Sequence, residues 1–100
     1  MIEDTWQEHL EAPFPTGCAG EVVDGVDLSA LDADASGFLT SFFASRHKLS
    51  QSAALELRTC FKDLHKVTPL LGGEAQVYFS RLRNLTEAVL ETLGVLRRAT

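Results

Sequence analysis

Lysine and arginine are missing from the first forty-five residues of this chain, although those residues hold nine of its fourteen carboxylates. All nine basic residues lie in the remaining fifty-five, beside five acids, so the two segments carry formal charges of −9 and +4, which sum to −5. Nucleic-acid binding is not expected, because it needs a basic face that collects phosphates, whereas the pI is near 5.0. The small basic cluster of Arg58, Lys62, His65 and Lys66 is interpreted as a solvated helix face.

Cysteines and long apolar runs are also scarce. The two cysteines, Cys18 and Cys60, do not make a disulfide framework, which indicates a reduced, cytoplasmic protein. No stretch approaches the roughly 20 apolar residues of a membrane span, and the acidic start of the chain is unlike a secretory signal, so no membrane association is predicted. With 100 residues, of which 45% are hydrophobic, we expect one globular domain spanning 1–100.

The apolar residues recur at spacings of three and four, which is typical of amphipathic helices. This periodicity predicts core helices over 27–45, 51–68 and 74–97, with Pro69 and Gly72-Gly73 in the break before the last of them. Because both connections are short, the predicted fold is all-α, an antiparallel three-helix up-down-up bundle.

An N-terminal arm, 1–26, precedes these helices and is predicted to carry one short extra helix. Thr5 and Glu8 are spaced as a capping box with Thr5 as the N-cap, and Pro13 limits the helix to about two turns. Further along, valines flank Asp24-Gly25, a dipeptide that favours a tight hairpin turn. We expect a very small hairpin there, with the arm packed across the bundle.

The segment Asp32–Leu39 matches the first eight positions of an EF-hand calcium loop, with carboxylates at positions one and three and glycine at position six. The twelfth position should be a bidentate glutamate, but here it is Phe43. In addition, the helical apolar pattern from Leu28 to Phe42 runs straight through the motif. We therefore predict a helix here and no calcium site.

Zinc and nucleophilic chemistry have little support. His9, His47 and His65 have no partner at a spacing that suits zinc, so they are predicted to be surface or cap residues, and no metal, cofactor or catalytic residue is assigned. Cys18 lies among small residues and is interpreted as part of a tight turn, since nothing in the sequence places a base beside it. Cys60 is interpreted as a small core residue.

Asp32 falls at the edge of the apolar face of its predicted helix. A partly buried carboxylate needs a cation or hydrogen-bond donors. We therefore expect an ion pair between Asp32 and Arg58, Lys62 or Arg81.

The acidic segment and the many aromatic residues, more than a three-helix core can hold, together suggest a protein-binding surface. We predict a non-catalytic protein-interaction module that acts as an adaptor, inhibitor or neutralising partner of another protein, or by forming a homodimer. The alternative is a small-ligand or metal-binding protein, or a minimal enzyme, that uses Asp32 and Asp34. The predicted partner-binding residues are five carboxylates: Glu21, Asp24, Asp27, Asp32 and Asp34.

Overall fold

The computed structural model describes residues 2–96, which form four α-helices and one two-stranded hairpin. The elements in chain order are α1 (Ile2–Glu11), β1 (Val22–Val23), β2 (Val26–Asp27), α2 (Leu28–Ala44), α3 (Gln51–Val67), a 3-10 turn (Thr68–Leu70) and α4 (Gly73–Thr92). The Cα radius of gyration of 12.9 Å is the value expected of a compact domain of this length. The prediction of a compact, predominantly helical fold is confirmed.

Helix α1 begins earlier than the sequence pattern predicts. It starts at Ile2, so Thr5 lies inside the helix, and the predicted capping box with Glu8 is wrong. Glu3 and Asp4 occupy the first turn, where carboxylates interact favourably with the helix dipole and support the earlier start.

The predicted small hairpin is confirmed. β1 and β2 are antiparallel, with Val22 opposite Asp27 and Val23 opposite Val26. Asp24 and Gly25 have φ values of 49° and 81°, which match the left-handed turn residues of a two-residue hairpin.

Helix α2 runs without interruption through the segment that resembles a calcium loop, as predicted. Asp27 is its N-cap, and the Asp27 Oδ1 atom accepts a hydrogen bond from the Ala30 N–H over 3.0 Å. Of the six residues that the periodicity places on the inner face, Phe38 is only half-buried, and the other five are buried: Leu28, Leu31, Ala35, Leu39 and Phe42.

The break after α2 has a left-handed backbone at two residues that are not glycine. Arg46 and His47 have φ values of 56° and 63°. His47 is held in this conformation by its backbone N–H, which donates to the Phe42 carbonyl over 2.9 Å, and by its ring, which stacks on the Phe42 ring at 5.0 Å. Its Nε2 atom also lies 2.9 Å from a Glu3 carboxylate oxygen, which ties this break to α1.

Helix α4 ends at Thr92, so the predicted helix over 74–97 is too long, and residue 97 lies outside the described residues. Gly94 has a φ of 76°, and the backbone N–H groups of Val95 and Leu96 both donate to the Leu90 carbonyl. A left-handed glycine with such backward hydrogen bonds is a common way to end a helix. The apolar periodicity continues past this point because Leu93, Val95 and Leu96 still pack against the core.

The core lies where α2, α3 and α4 pack on one another, and α1 covers part of α4. Phe42 of α2, Leu57 of α3, and Phe79 and Leu82 of α4 are almost completely buried there. The mutual packing of three long helices agrees with the predicted architecture, whereas their antiparallel up-down-up order stays a prediction. Within residues 2–96, no helix is both long and apolar enough to cross a bilayer.

Candidate functional site

An acidic groove lies between two walls. The hairpin and α2 form one wall, and α3 forms the other. Four carboxylates line it: Asp27, Asp34, Glu56 and Asp63. The groove has a volume of about 620 Å³ and is open to solvent. Its apolar part is formed by Val26, Leu31, Phe38 and Cys60.

Lys66 is the cation at the edge of this acidic groove. Its Nζ atom lies 3.8 Å from the Asp24 Oδ2 atom in the hairpin turn, and both side chains are about half exposed. An ion pair so exposed contributes little to stability. Four carboxylates and one cation therefore leave the lining with a strongly negative charge.

The five predicted partner-binding carboxylates do not form one surface. Asp27 and Asp34 line the acidic groove. Asp24 does not line it but forms an ion pair with Lys66 at its edge. Glu21 is exposed but is not among the lining residues. Asp32 is half-buried and contacts α4.

Glu56 and Asp63 line the acidic groove, and the sequence prediction did not include them among the partner-binding residues. They are seven residues apart on α3, so they lie two turns apart on one face of that helix. The spacing was visible in the sequence. Spacing alone does not show that α2 lies opposite these two residues. They were also not considered because they belong to the segment whose net charge is positive.

Cys60 lies at the bottom of the acidic groove as a buried thiol. Burial and the negative charges of Asp34, Asp63 and Glu56 raise the pKa of Cys60 to about 11. At neutral pH the thiol is therefore protonated, which is the unreactive form. The prediction that Cys60 is a small core residue is confirmed.

Cys18 lies in a tight turn, as predicted. Its backbone N–H donates to the Pro15 carbonyl over 3.2 Å, and its carbonyl accepts from the Glu21 N–H over 3.1 Å. The side chain is buried, and this burial, together with the nearby Glu21 carboxylate, raises the pKa of the Cys18 thiol.

The predicted ion pair of Asp32 with Arg58, Lys62 or Arg81 is wrong. Its Oδ1 atom accepts hydrogen bonds from two hydroxyl groups instead, Tyr78 Oη at 2.7 Å and Ser36 Oγ at 3.5 Å. The prediction failed because α4 presents the neutral Tyr78 at this position. Burial raises the pKa of Asp32, and the two hydroxyl hydrogen bonds oppose that rise.

His9 is buried beside Tyr78, so its predicted position at the surface is wrong, whereas His47 and His65 are exposed. The His9 and Tyr78 ring centroids are 4.5 Å apart. The Arg81 Nε–H donates to the His9 Nδ1 atom over 3.0 Å, and because that nitrogen accepts, the proton of the neutral ring is on Nε2. Among the described residues, this Nε2 atom has no hydrogen-bond partner.

Burial and the positive charge of Arg81 lower the pKa of His9 to about 4. The ring is therefore neutral at pH 7. Four residues therefore form a polar cluster of two hydrogen-bonded pairs, Asp32 with Tyr78 and His9 with Arg81, which meet where the His9 and Tyr78 rings contact each other.

The alternative prediction places Asp32 and Asp34 in one site, but the two carboxylates lie on different sides of α2. Asp32 belongs to the polar cluster on the α4 side of α2, whereas Asp34 lines the acidic groove on the α3 side. In the part of the chain that the structure describes, no three histidine, cysteine, aspartate or glutamate side chains are grouped so that they could hold a metal ion.

Replacing Asp32 with alanine is expected to lower the free energy of unfolding by about 1–2 kcal/mol, because the largely buried Tyr78 hydroxyl would lose its acceptor. Asp32→Asn keeps an oxygen at this position and should cost clearly less. Urea denaturation at neutral pH measures both values. Equal losses in the two variants would contradict the role assigned to this hydrogen bond.

Comparisons of the chain with models of known protein families, with curated proteins and with solved structures found no match.

Proposed function

We propose that this chain is a non-catalytic protein-interaction module, and that the acidic groove binds a basic segment of a partner protein. The observation that carries the proposal is the lining of the groove, in which four carboxylates surround an apolar base and Lys66 is the lining cation. A segment in which lysine or arginine flanks an apolar side chain matches this groove, because its cations can pair with the carboxylates and its apolar side chain can cover the base.

Charge complementarity would first raise the rate at which the basic segment associates with the groove. Clefts lined by charge of one sign concentrate ligands of the opposite sign and speed their association, and salt weakens the effect. The chain as a whole adds to this attraction, since its formal net charge is −5. Binding of the basic segment should therefore be strong at low salt and fall as salt is added.

The apolar base of the groove would supply the contact that salt does not weaken. Phe38 is half-buried at the groove, and Cys60 holds a neutral thiol there. An apolar side chain placed between two basic ones would cover this base while its neighbours meet the carboxylates. Such a segment fits a groove beside two helices as an amphipathic helix or as an extended strand.

The same chain offers a basic partner of its own. Arg58, Lys62 and His65 are exposed on α3, at helical positions away from Glu56 and Asp63. A homodimer in which these basic residues of one copy meet the acidic groove of another is the alternative within this proposal. We further propose that the protein acts in the cytoplasm, without a cofactor and without binding nucleic acid or membranes.

The test is a fluorescence anisotropy titration with a labelled amphipathic peptide of lysine and leucine. The triple variant Asp34→Asn, Glu56→Gln, Asp63→Asn should bind this peptide about tenfold more weakly than the unaltered chain, since each exposed charge pair is worth up to about 1 kcal/mol. The affinity of the unaltered chain should also fall between low salt and about 0.5 M salt.

A matched control removes three exposed carboxylates elsewhere, with Asp4→Asn, Glu8→Gln and Glu87→Gln. It changes the net charge by the same amount and should leave most of the affinity intact. Equal weakening in both triple variants would mean that net charge alone attracts the peptide, and the groove assignment would be wrong. Light scattering of the unaltered chain over a concentration series separates a homodimer from a monomer that needs another protein.

A further inference from the structure

A second hollow, separate from the acidic groove, lies between the loop after α1 and the exposed side of α4. Phe14 and Pro13 form one wall, and Val77, Tyr78 and Arg81 form the other. Its volume of about 410 Å³ is within the usual range for small-molecule sites. Val77 is 63% exposed and lines it, so an apolar ligand could cover this side chain.

Arg81 is the one cation lining this hollow and has no acidic partner in the described chain. Its Nε–H donates to His9, and its guanidinium carbon lies 6.0 Å from the centre of the Tyr78 ring. Neither contact neutralises the charge, because His9 is an uncharged acceptor and the ring contact is weak. Among residues 2–96, no hydrogen bond or ion pair occupies the two terminal nitrogens of the guanidinium.

The contacts around Arg81 fix its position before any ligand arrives. His9 is buried and holds the Nε–H, so the planar guanidinium has a defined orientation. Tyr78 is held by its hydrogen bond to Asp32, and the Phe14 ring packs edge-on against it at 5.6 Å. A site whose side chains are already ordered loses less entropy when it binds.

Charge along the hollow indicates which end of a ligand would lie where. Glu74 lines the end away from Arg81, and the two residues are seven apart on α4, which is about 10 Å along the helix. Val77 and Tyr78 lie between them. An anionic group is therefore attracted to the Arg81 end and repelled at the Glu74 end.

We propose that this hollow binds a small carboxylate with a flat apolar body. The two carboxylate oxygens meet the terminal nitrogens of Arg81, because a guanidinium matches that geometry with two parallel hydrogen bonds. The apolar body lies against Val77 and the rings of Phe14 and Tyr78. The proposal goes beyond the proposed function, since it concerns a different surface and a different class of ligand.

The probe is hydrocinnamate, a phenyl ring joined to a carboxylate by two methylenes, and its neutral amide is the matched control compound. Binding is followed by NMR from the backbone amides of Val77 and Tyr78 and from the Arg81 Nε–H. We expect hydrocinnamate to bind with a Kd on the order of 1 mM or below, and the amide to bind at least about tenfold more weakly. Equal binding of the two compounds, or no shift at these signals up to about ten times that concentration, would overturn the proposal.

Two substitutions at exposed positions test the charge without disturbing the core. Val77→Asp places a carboxylate beside Arg81 and should weaken hydrocinnamate binding about tenfold. Glu74→Gln removes the repelling charge and should strengthen it about twofold. An unchanged Kd in the first variant, or weaker binding in the second, would show that Arg81 does not receive the carboxylate.

Discussion

Replacing Phe79 with alanine is expected to lower the free energy of unfolding by about 3–5 kcal/mol. Phe79 is fully buried, and its ring packs edge-on against Tyr78 at 5.3 Å and against Phe14 at 6.0 Å. The substitution removes a whole ring from the place where α4 meets the loop after α1. A chain of 100 residues has little stability to lose, so the loss should be a large part of the total.

Urea denaturation followed by circular dichroism measures this loss. Val77→Ala is the matched control, because Val77 lies two residues earlier on the same helix but is 63% exposed, and it should change the free energy of unfolding by no more than about 0.5 kcal/mol. A loss below about 1 kcal/mol for Phe79→Ala would mean that the ring is not part of the core.

The interior face of each long helix could be predicted from the sequence because periodicity reports burial directly. Leu28, Leu31 and Leu39 recur as a helix requires, and a calcium loop at Asp32 would have broken that pattern. The end of α4 could not be predicted in the same way. Leu93 and Leu96 still pack against the core although the helix has ended at Thr92, so the apolar pattern continues beyond the last helical residue.

The candidate sites were harder to predict, because they depend on contacts between residues far apart in the chain. Asp32 and Asp34 are two residues apart, yet one contacts Tyr78 on α4 and the other contributes to a groove with α3. Which of two neighbouring carboxylates is drawn inward depends on the helix opposite it. Sequence spacing gives no information about that helix.

His9 shows the same limit for a buried polar group. It lies three residues after Trp6, and both are buried on the inner face of α1. The residue that makes the burial tolerable is Arg81, seventy-two positions away, which supplies a hydrogen bond to the ring. Without that pairing, a histidine in an acidic helix is best assigned to the surface, as the sequence prediction assigned it.

His9 is expected to make the protein less stable by about 3 kcal/mol as the pH falls from 6.5 to 4. In the unfolded chain the ring takes up a proton near pH 6.5, whereas in the folded protein burial and Arg81 keep the pKa of His9 near 4. Between these values the unfolded state holds one more proton than the folded state. The free energy of unfolding therefore decreases by about 1.4 kcal/mol for each pH unit in this range.

The groups that face His9 do not obscure this effect. Burial and the hydrogen bond to Asp32 raise the pKa of Tyr78, so the Tyr78 hydroxyl does not titrate in this range. The raised pKa of Asp32 acts in the opposite direction, because its folded form binds a proton more readily as the pH falls. That contribution is present whether or not residue 9 is a histidine.

The measurement is therefore the difference between the unaltered chain and His9→Gln, which keeps an acceptor for the Arg81 Nε–H but cannot titrate. Urea denaturation of both proteins at several pH values between 6.5 and 4 cancels the carboxylates that they share. The stability of the unaltered chain relative to the variant should fall steadily across this range and level off near pH 4, where the folded ring also takes up a proton. A difference that does not change with pH would mean that His9 is protonated as easily in the folded protein as in water, which contradicts its burial against Arg81 and Tyr78.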